Sequence, residues 1–443
     1  MDRKASSAQR MHCLHTANAY CRAEPDLPIS CPLSAQAKRP PLKPAGKRGK
    51  KKADYEMKIF NFHLMPYRHV DLDAVGRNGS AWVTFPNSHY DPKQGAELYH
   101  EYLDQMELAD QLGFDGVCLN EHHQTPYGMM PVPGLLAGAL ARSVKRAKVA
   151  ILGRALPLLN NPLVVAEEYA MLDNLTRGRF IAGFVRGIGA EYHAMGINPA
   201  ESQQRFAEAH DLIIRAWTET GPFAYSSKYY NFNYVNPWPR PYQTPHPPIW
   251  VPSQGSSSTI KWAAQNRYTY AQTLSPIASV AKFFQMYRDE AEKAGYTASP
   301  DQLAWSNTIY VAETDEKAMR EAKPHLEALV NRLLFMPIEM LLPPGYTNFE
   351  SMDRIRQAKI VGKPQTIEDL VKAGVVIIGS PNTVREKLAE YQDLAGFNTS
   401  LTKTQFGTMP HDMVKANMEA IAQEILPHFR DRLPQGKQAA AAE

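Results

Sequence analysis

No run of this chain approaches the roughly 18 uninterrupted apolar residues that a membrane-crossing helix needs, although 44% of its 443 residues are hydrophobic. Cysteine is scarce: Cys13, Cys21 and Cys31 lie near the start, and only Cys118 lies in the body. Neither a Cys-x-x-Cys pair nor a His-rich ligand spacing accompanies them, which argues against a zinc site or a disulfide framework. One body cysteine fits a reducing cytosol. A charge excess is missing too. The net +4 comes from residues 1–56, with 12 Lys and Arg against 5 Asp and Glu; the remainder has 37 basic and 40 acidic residues. A mildly acidic body gives no general reason to expect a nucleic-acid partner. These absences predict a soluble protein, expected in the cytoplasm.

Residues 1–56 are rich in Ala, Pro, Ser and Lys, show no apolar period and end in Lys47-Arg48-Gly49-Lys50-Lys51-Lys52. That composition predicts a disordered basic extension, without the apolar centre of a secretory signal. A leader from an upstream start, a flexible tail and an anchor for an anionic surface all fit it. Met57 opens the first convincing strand, and residues 431–443 are expected to form a second disordered tail.

Between these ends, strand and helix signals alternate. Strands are expected at Lys58–His63, Gly116–Leu119, Ala147–Leu156, Phe180–Val185, Pro248–Pro252, Tyr268–Leu274, Trp305–Val311 and Thr399–Gln405. Helical spacing lies between them, as at Gly95–Leu112, Pro162–Leu175 and Glu201–Thr218. Repeated βα units specify a parallel sheet with right-handed crossovers, and eight of them predict closure into a (β/α)8 TIM barrel over residues 57–430. Two stretches break the rhythm. Residues 221–247, dense in Tyr, Pro and Asn, read as an insertion, and residues 335–373 precede the short run Val375–Ile378. Loops of that length are usually lids or binding segments; Phe335, Met336, Ile338, Met340, Leu341 and Leu342 make 335–373 the lid candidate.

Three clusters carry chemistry. Asn120-Glu121-His122-His123 follows the second strand, at the end where a barrel keeps its active site. Adjacent histidines on an extended backbone point apart, so one at most faces a substrate; a buried hydrogen-bonded pair is the competing reading, and no third ligand nearby supports a metal. Arg186-Gly187 follows the fourth strand, where a guanidinium fork beside a glycine suits a phosphate, although surface arginines are commoner. Ser253-Gln254-Gly255-Ser256-Ser257-Ser258-Thr259 joins the fifth strand to its helix. Unpaired N–H groups at a helix start make an anion site there, and capping explains one serine but not the series.

These clusters, with Pro157, Asn161-Pro162, Ala166-Glu167-Glu168, Met171 to Phe180 and Trp262-Ala263-Ala264-Gln265, resemble the luciferase-like flavin-dependent monooxygenases over about residues 57–430. The resemblance implies a TIM barrel that takes reduced FMN from a separate reductase and adds one oxygen atom to an organic molecule. It implies that His122 stands beside the flavin's reactive edge, that Arg186, Gly255, Ser256 and Thr259 hold the phosphate, and that Asn161 contacts the ring system. Leu152-Gly153 corresponds to the family's non-proline cis peptide beneath the flavin ring. Val185 replaces the reactive cysteine of the light-emitting members, which argues against optimised light emission. Phe62, Trp82, Tyr127, Trp250, Met129 and Met130 are expected to line a mostly apolar pocket, hence a largely apolar substrate. The resemblance also implies a homodimer formed by helices beside the second and third units. Two alternatives remain at this point: a deazaflavin-dependent hydride-transfer enzyme on the same barrel, and a non-catalytic flavin-binding protein.

Overall fold

The computed structural model describes residues 56–347 and 364–430. The extension 1–56 apart from Glu56, the middle of the 335–373 stretch and the tail 431–443 lie outside the described residues. Eight parallel strands close the expected barrel: β1 (Lys58–Phe62), β2 (Gly116–Leu119), β3 (Lys148–Ala155), β4 (Phe180–Val185), β5 (Ile249–Ser253), β6 (Thr269–Gln272), β7 (Leu303–Val311) and β8 (Thr399–Lys403). Each pairs with the next, and β8 returns to β1 from Lys58↔Thr399 to Asn61↔Thr402. Helices cover the outside, so the strands are buried on both faces; that is why they read as apolar runs rather than alternations. Among the described residues no helix is long and apolar enough to cross a membrane.

Local chemistry sets the element ends. Helix α1 (Pro92–Leu112) starts where Asp91 accepts the N–H groups of Lys93 and Gln94, and stops at Gly113, whose φ of +91° a side chain would resist. It buries Leu98, Tyr102, Met106 and Ala109 as one stripe. Asp110 then ties α1 to the turn before β3, accepting N–H bonds from Lys145, Arg146 and Ala147 at 2.8, 3.0 and 2.7 Å. Burial works to raise its pKa, but these bonds hold the carboxyl net below its usual range.

Strands β3 and β4 approach unusually closely. A Cβ on Gly183 would meet Ile151 O at 2.0 Å, and one on Gly153 would meet Gly183 C at 2.6 Å, so both positions require glycine. The β3–β4 register shifts between Ile151 and Arg154, and the Leu152–Gly153 peptide there is cis.

The two irregular stretches have distinct forms. Residues 221–247 contain an antiparallel hairpin, Phe223–Ser226 with Asn231–Val235. The short run before the last barrel unit is a ninth strand, Val376–Gly379, outside the ring. It pairs with Thr308–Val311 of β7, on the edge that β6 covers only from Leu303 to Trp305. The described part of 335–373 holds short helices at Ile338–Leu341 and Ile367–Lys372.

Candidate active site

Register brings the three sequence clusters to one rim. Leu119 pairs with Ile151, Ile151 with Ala182, and Ala182 with Ile249, so β2, β3, β4 and β5 release their loops together. Gly183 pairs with Trp250, and Arg186 and Ser253 each follow that rung by three residues on their own strand or loop. His122 leaves the same rim from β2.

The adjacent histidines turn to different partners. His122 Nδ1 lies 2.9 Å from Glu191 Oε1, on helix α4 (Gly189–Met195) that follows β4. Glu191 is buried, and its Oε2 accepts Ile188 N at 2.9 Å. A carboxylate at Nδ1 fixes the ring orientation and keeps the proton there; Nε2 has no hydrogen-bond partner among the described residues. Trp82 and Tyr127 stand at 5.2 and 5.0 Å from the His122 ring. Burial, then the Glu191 charge, push the Tyr127 phenol pKa well up, so it remains a neutral hydroxyl. Trp82 is itself fixed by Nε1 donating to Leu333 O at 2.8 Å. Phe60 meets Trp250 across the barrel interior at 5.2 Å.

His123 instead bonds Glu121 at 3.0 Å. Glu121 also meets Arg154 of β3 at 2.9 Å, and Arg154 reaches Glu168 of α3 (Leu163–Thr176) at 3.7 Å. Desolvation pulls the His123 pKa down, but the Glu121 hydrogen bond and the Glu121 and Glu191 charges outweigh it, and the net shift is upward. Burial raises Glu168.

Arg186 is half-buried. Its Nη1 donates to Ser202 Oγ and to Tyr346 O, both at 3.3 Å, and Tyr346 lies over the guanidinium at 4.5 Å. Tyr346 OH donates to Gly187 O at 2.6 Å. Nε and Nη2 have no partner among the described residues, which leaves one edge of the fork to receive a ligand. In the turn after β5, Gly255 has a φ of +98°, and a Cβ there would strike the Phe283 ring at 2.4 Å. The N–H groups of Gly255 and Ser256 turn to Ser253 Oγ at 3.3 and 3.4 Å. Ser256 precedes helix α5 (Ser257–Gln265), with Thr259 in its first turn. A free guanidinium edge, serine and threonine hydroxyls and a helix start suit a phosphate monoester.

Asn161 stands apart from this group. It is exposed, and its Oδ1 accepts Leu163 N at 3.1 Å, which caps the start of α3. Cys118 is a buried free thiol inside β2. Sequence reasoning missed Glu191, Tyr346 and the Arg154 network. Only Glu191 left a local trace, an acid in the first turn of a short helix right after Arg186-Gly187.

Comparison with known proteins identifies the family and the fold. The family model described as luciferase-like monooxygenase matches residues 80–397. The oxygenase component of a flavin-dependent trigonelline monooxygenase from Acinetobacter baylyi is 24% identical over 361 residues, covering 77% of this chain and 92% of that protein. Limonene 1,2-monooxygenase from Rhodococcus erythropolis is 24% identical over 343 residues, covering 75% and 82%. The solved structure of monooxygenase RslO1 from Streptomyces bottropensis aligns with a TM-score of 0.66 at 26% identity, over 84% of this chain and all of that one. The chain belongs to the luciferase-like monooxygenase family and is a flavin-dependent monooxygenase.

Proposed function

We propose that this protein is the oxygenase half of a two-component system, taking reduced FMN from a separate reductase and inserting one oxygen atom into a small organic substrate. The observation that carries the reading is the shared rim: Arg186 with a free donor edge, the Gly255–Thr259 turn and the Glu191-held His122 all leave the same end of the barrel. Bound reduced flavin supplies the electrons, so that one atom of oxygen enters the substrate and the other leaves as water. This chain's residues supply the rest. Arg186, Ser256 and Thr259 grip the phosphate. The Leu152–Gly153 backbone would support the ring; Asn161, exposed and turned to Leu163 N, is left out of the site. Glu191 keeps the proton on Nδ1 of His122, leaving Nε2 to exchange one with the reacting oxygen. Trp82 and Tyr127 pack about that imidazole and keep water away.

The apolar side chains Leu135 of α2 (Pro133–Ser143) and Val164, Met171 and Leu175 of α3 are 47–74% exposed. They run along the helices beside the second and third units, and we assign that face to a homodimer. Cys118, a buried thiol, suits the cytoplasm. The test is oxygen uptake with a flavin reductase and NADH present, screened over candidate substrates. Substrate-dependent uptake with FMN is expected; purified protein that bound no reduced FMN would overturn the reading.

A further inference from the structure

A buried amine inside the barrel has no role in the reading above. Lys403 is the last residue of β8, and catalytic groups of this fold come from the carboxyl ends of its strands. Its side chain faces inward. Phe60 touches Trp250 although β1 and β5 are not neighbours in the ring, so the face of β1 bearing Phe60 and Phe62 is the barrel interior. The Nζ of Lys403 lies 5.8 Å from the Phe62 ring centroid, and it donates to Ser306 Oγ at 2.9 Å. Both Lys403 and Ser306 are 3% exposed.

That serine is the amine's single hydrogen-bond partner among the described residues. An ammonium offers three N–H donors, so two are unspent, and no carboxylate among the described residues pairs with it. Buried charges are ordinarily paired, because an unpaired one costs several kcal/mol. Burial alone lowers the Lys403 pKa to about 7, the range in which an arriving anion decides whether the group is charged.

We propose that Lys403 is the anchoring point for an anionic oxygen, a carboxylate or an ionised phenol, on the organic substrate. The inference rests on the monooxygenase reading and narrows it: the substrate is a mostly apolar molecule with one acidic group, oriented by that group against β8. The other anion that enters such a barrel is the reduced flavin, and the two sources leave different traces.

The experiment uses the full-length protein labelled at lysine Cε with 13C, the Lys403 resonance being the one lost in Lys403→Met. Acetate and benzoate are the probes, with acetamide and benzamide as neutral controls. The carboxylates are expected to raise the Lys403 titration midpoint by a unit or more, a tenfold change, while the amides leave it in place. No shift with either carboxylate, or an equal shift with the amides, overturns the proposal. So does a shift produced by reduced FMN alone, which would assign the amine to the flavin. Whether FMN binds is read separately by titration against riboflavin. Loss of that binding with an intact carboxylate response would sink the monooxygenase reading and leave the anion site standing.

Discussion

Two of the buried cations, Arg154 at 7% and Lys403 at 3% exposure, are treated by the protein in opposite ways. Arg154 sits among Glu121, Glu168 and His123, a cluster that links the loop after β2 to β3 and α3. Lys403 has a serine. A paired charge holds elements together and loses heavily when one partner goes, whereas an unpaired charge is a cost carried by the fold. Costs of that kind are usually retained for function. The contrast separates scaffolding from site.

The largest expected effect is at Arg154. Replacing it by methionine strands two carboxylates close together in a buried place, and Arg154→Met should lower unfolding free energy by about 3–5 kcal/mol. Adding Glu121→Gln should recover part of the loss. Urea unfolding of the three proteins checks this, and equal stability of Arg154→Met and wild type would show that the cluster does not hold the fold.

Lys403→Met should move stability the other way. A lysine whose folded pKa is about 7, against about 10.5 unfolded, is disfavoured in the fold wherever the unfolded chain keeps its proton more readily. The penalty is complete below about pH 7, shrinks as pH rises and vanishes above the unfolded value. At 1.36 kcal/mol per unit, the methionine variant should be more stable by roughly 4 kcal/mol at neutral pH, the gap closing toward pH 10. A gap constant between pH 7 and 10 would mean that the amine pays no ionisation penalty, and the comparison with Arg154 would lose its basis.

These two residues also show what can be read from the sequence. The barrel was legible because a parallel sheet covered on both sides writes itself as apolar runs. Gly116–Leu119 and Phe180–Val185 have the expected bounds, the first following Gly113, which ends a helix, and the second following the left-handed pair Arg177-Gly178 that ends α3. The rim clusters were legible because each is contiguous. Glu191 was not, since its partner lies 69 positions away and only the β2–β4 geometry joins them. Lys403 read as part of an ordinary strand, Thr399–Gln405, because which side of a fully buried strand faces the barrel centre leaves no mark in its composition. The ninth strand, Val376–Gly379, shows in the sequence only as the short run Val375–Ile378 after the irregular stretch.

The smallest effect sharpens the comparison by adding a third cation, one of intermediate standing. Arg186 is half-buried and shares one nitrogen with protein acceptors while its other edge is free. Arg186→Ala should weaken FMN binding by about 1.5–3 kcal/mol, the scale of hydrogen bonds to a charged group. Tyr346 lies over the guanidinium and fixes its plane, so it acts as a positioning residue. Tyr346→Ala should cost FMN about 1 kcal/mol, the scale of a partly exposed cation–π contact. Riboflavin, which lacks the phosphate, separates this from general damage: its affinity should be unchanged in both variants, so the preference for FMN over riboflavin falls while the ring still binds. If Tyr346→Ala weakened riboflavin and FMN equally, the tyrosine would be supporting the ring site or the loop as a whole, and Arg186 would not need it to meet a phosphate.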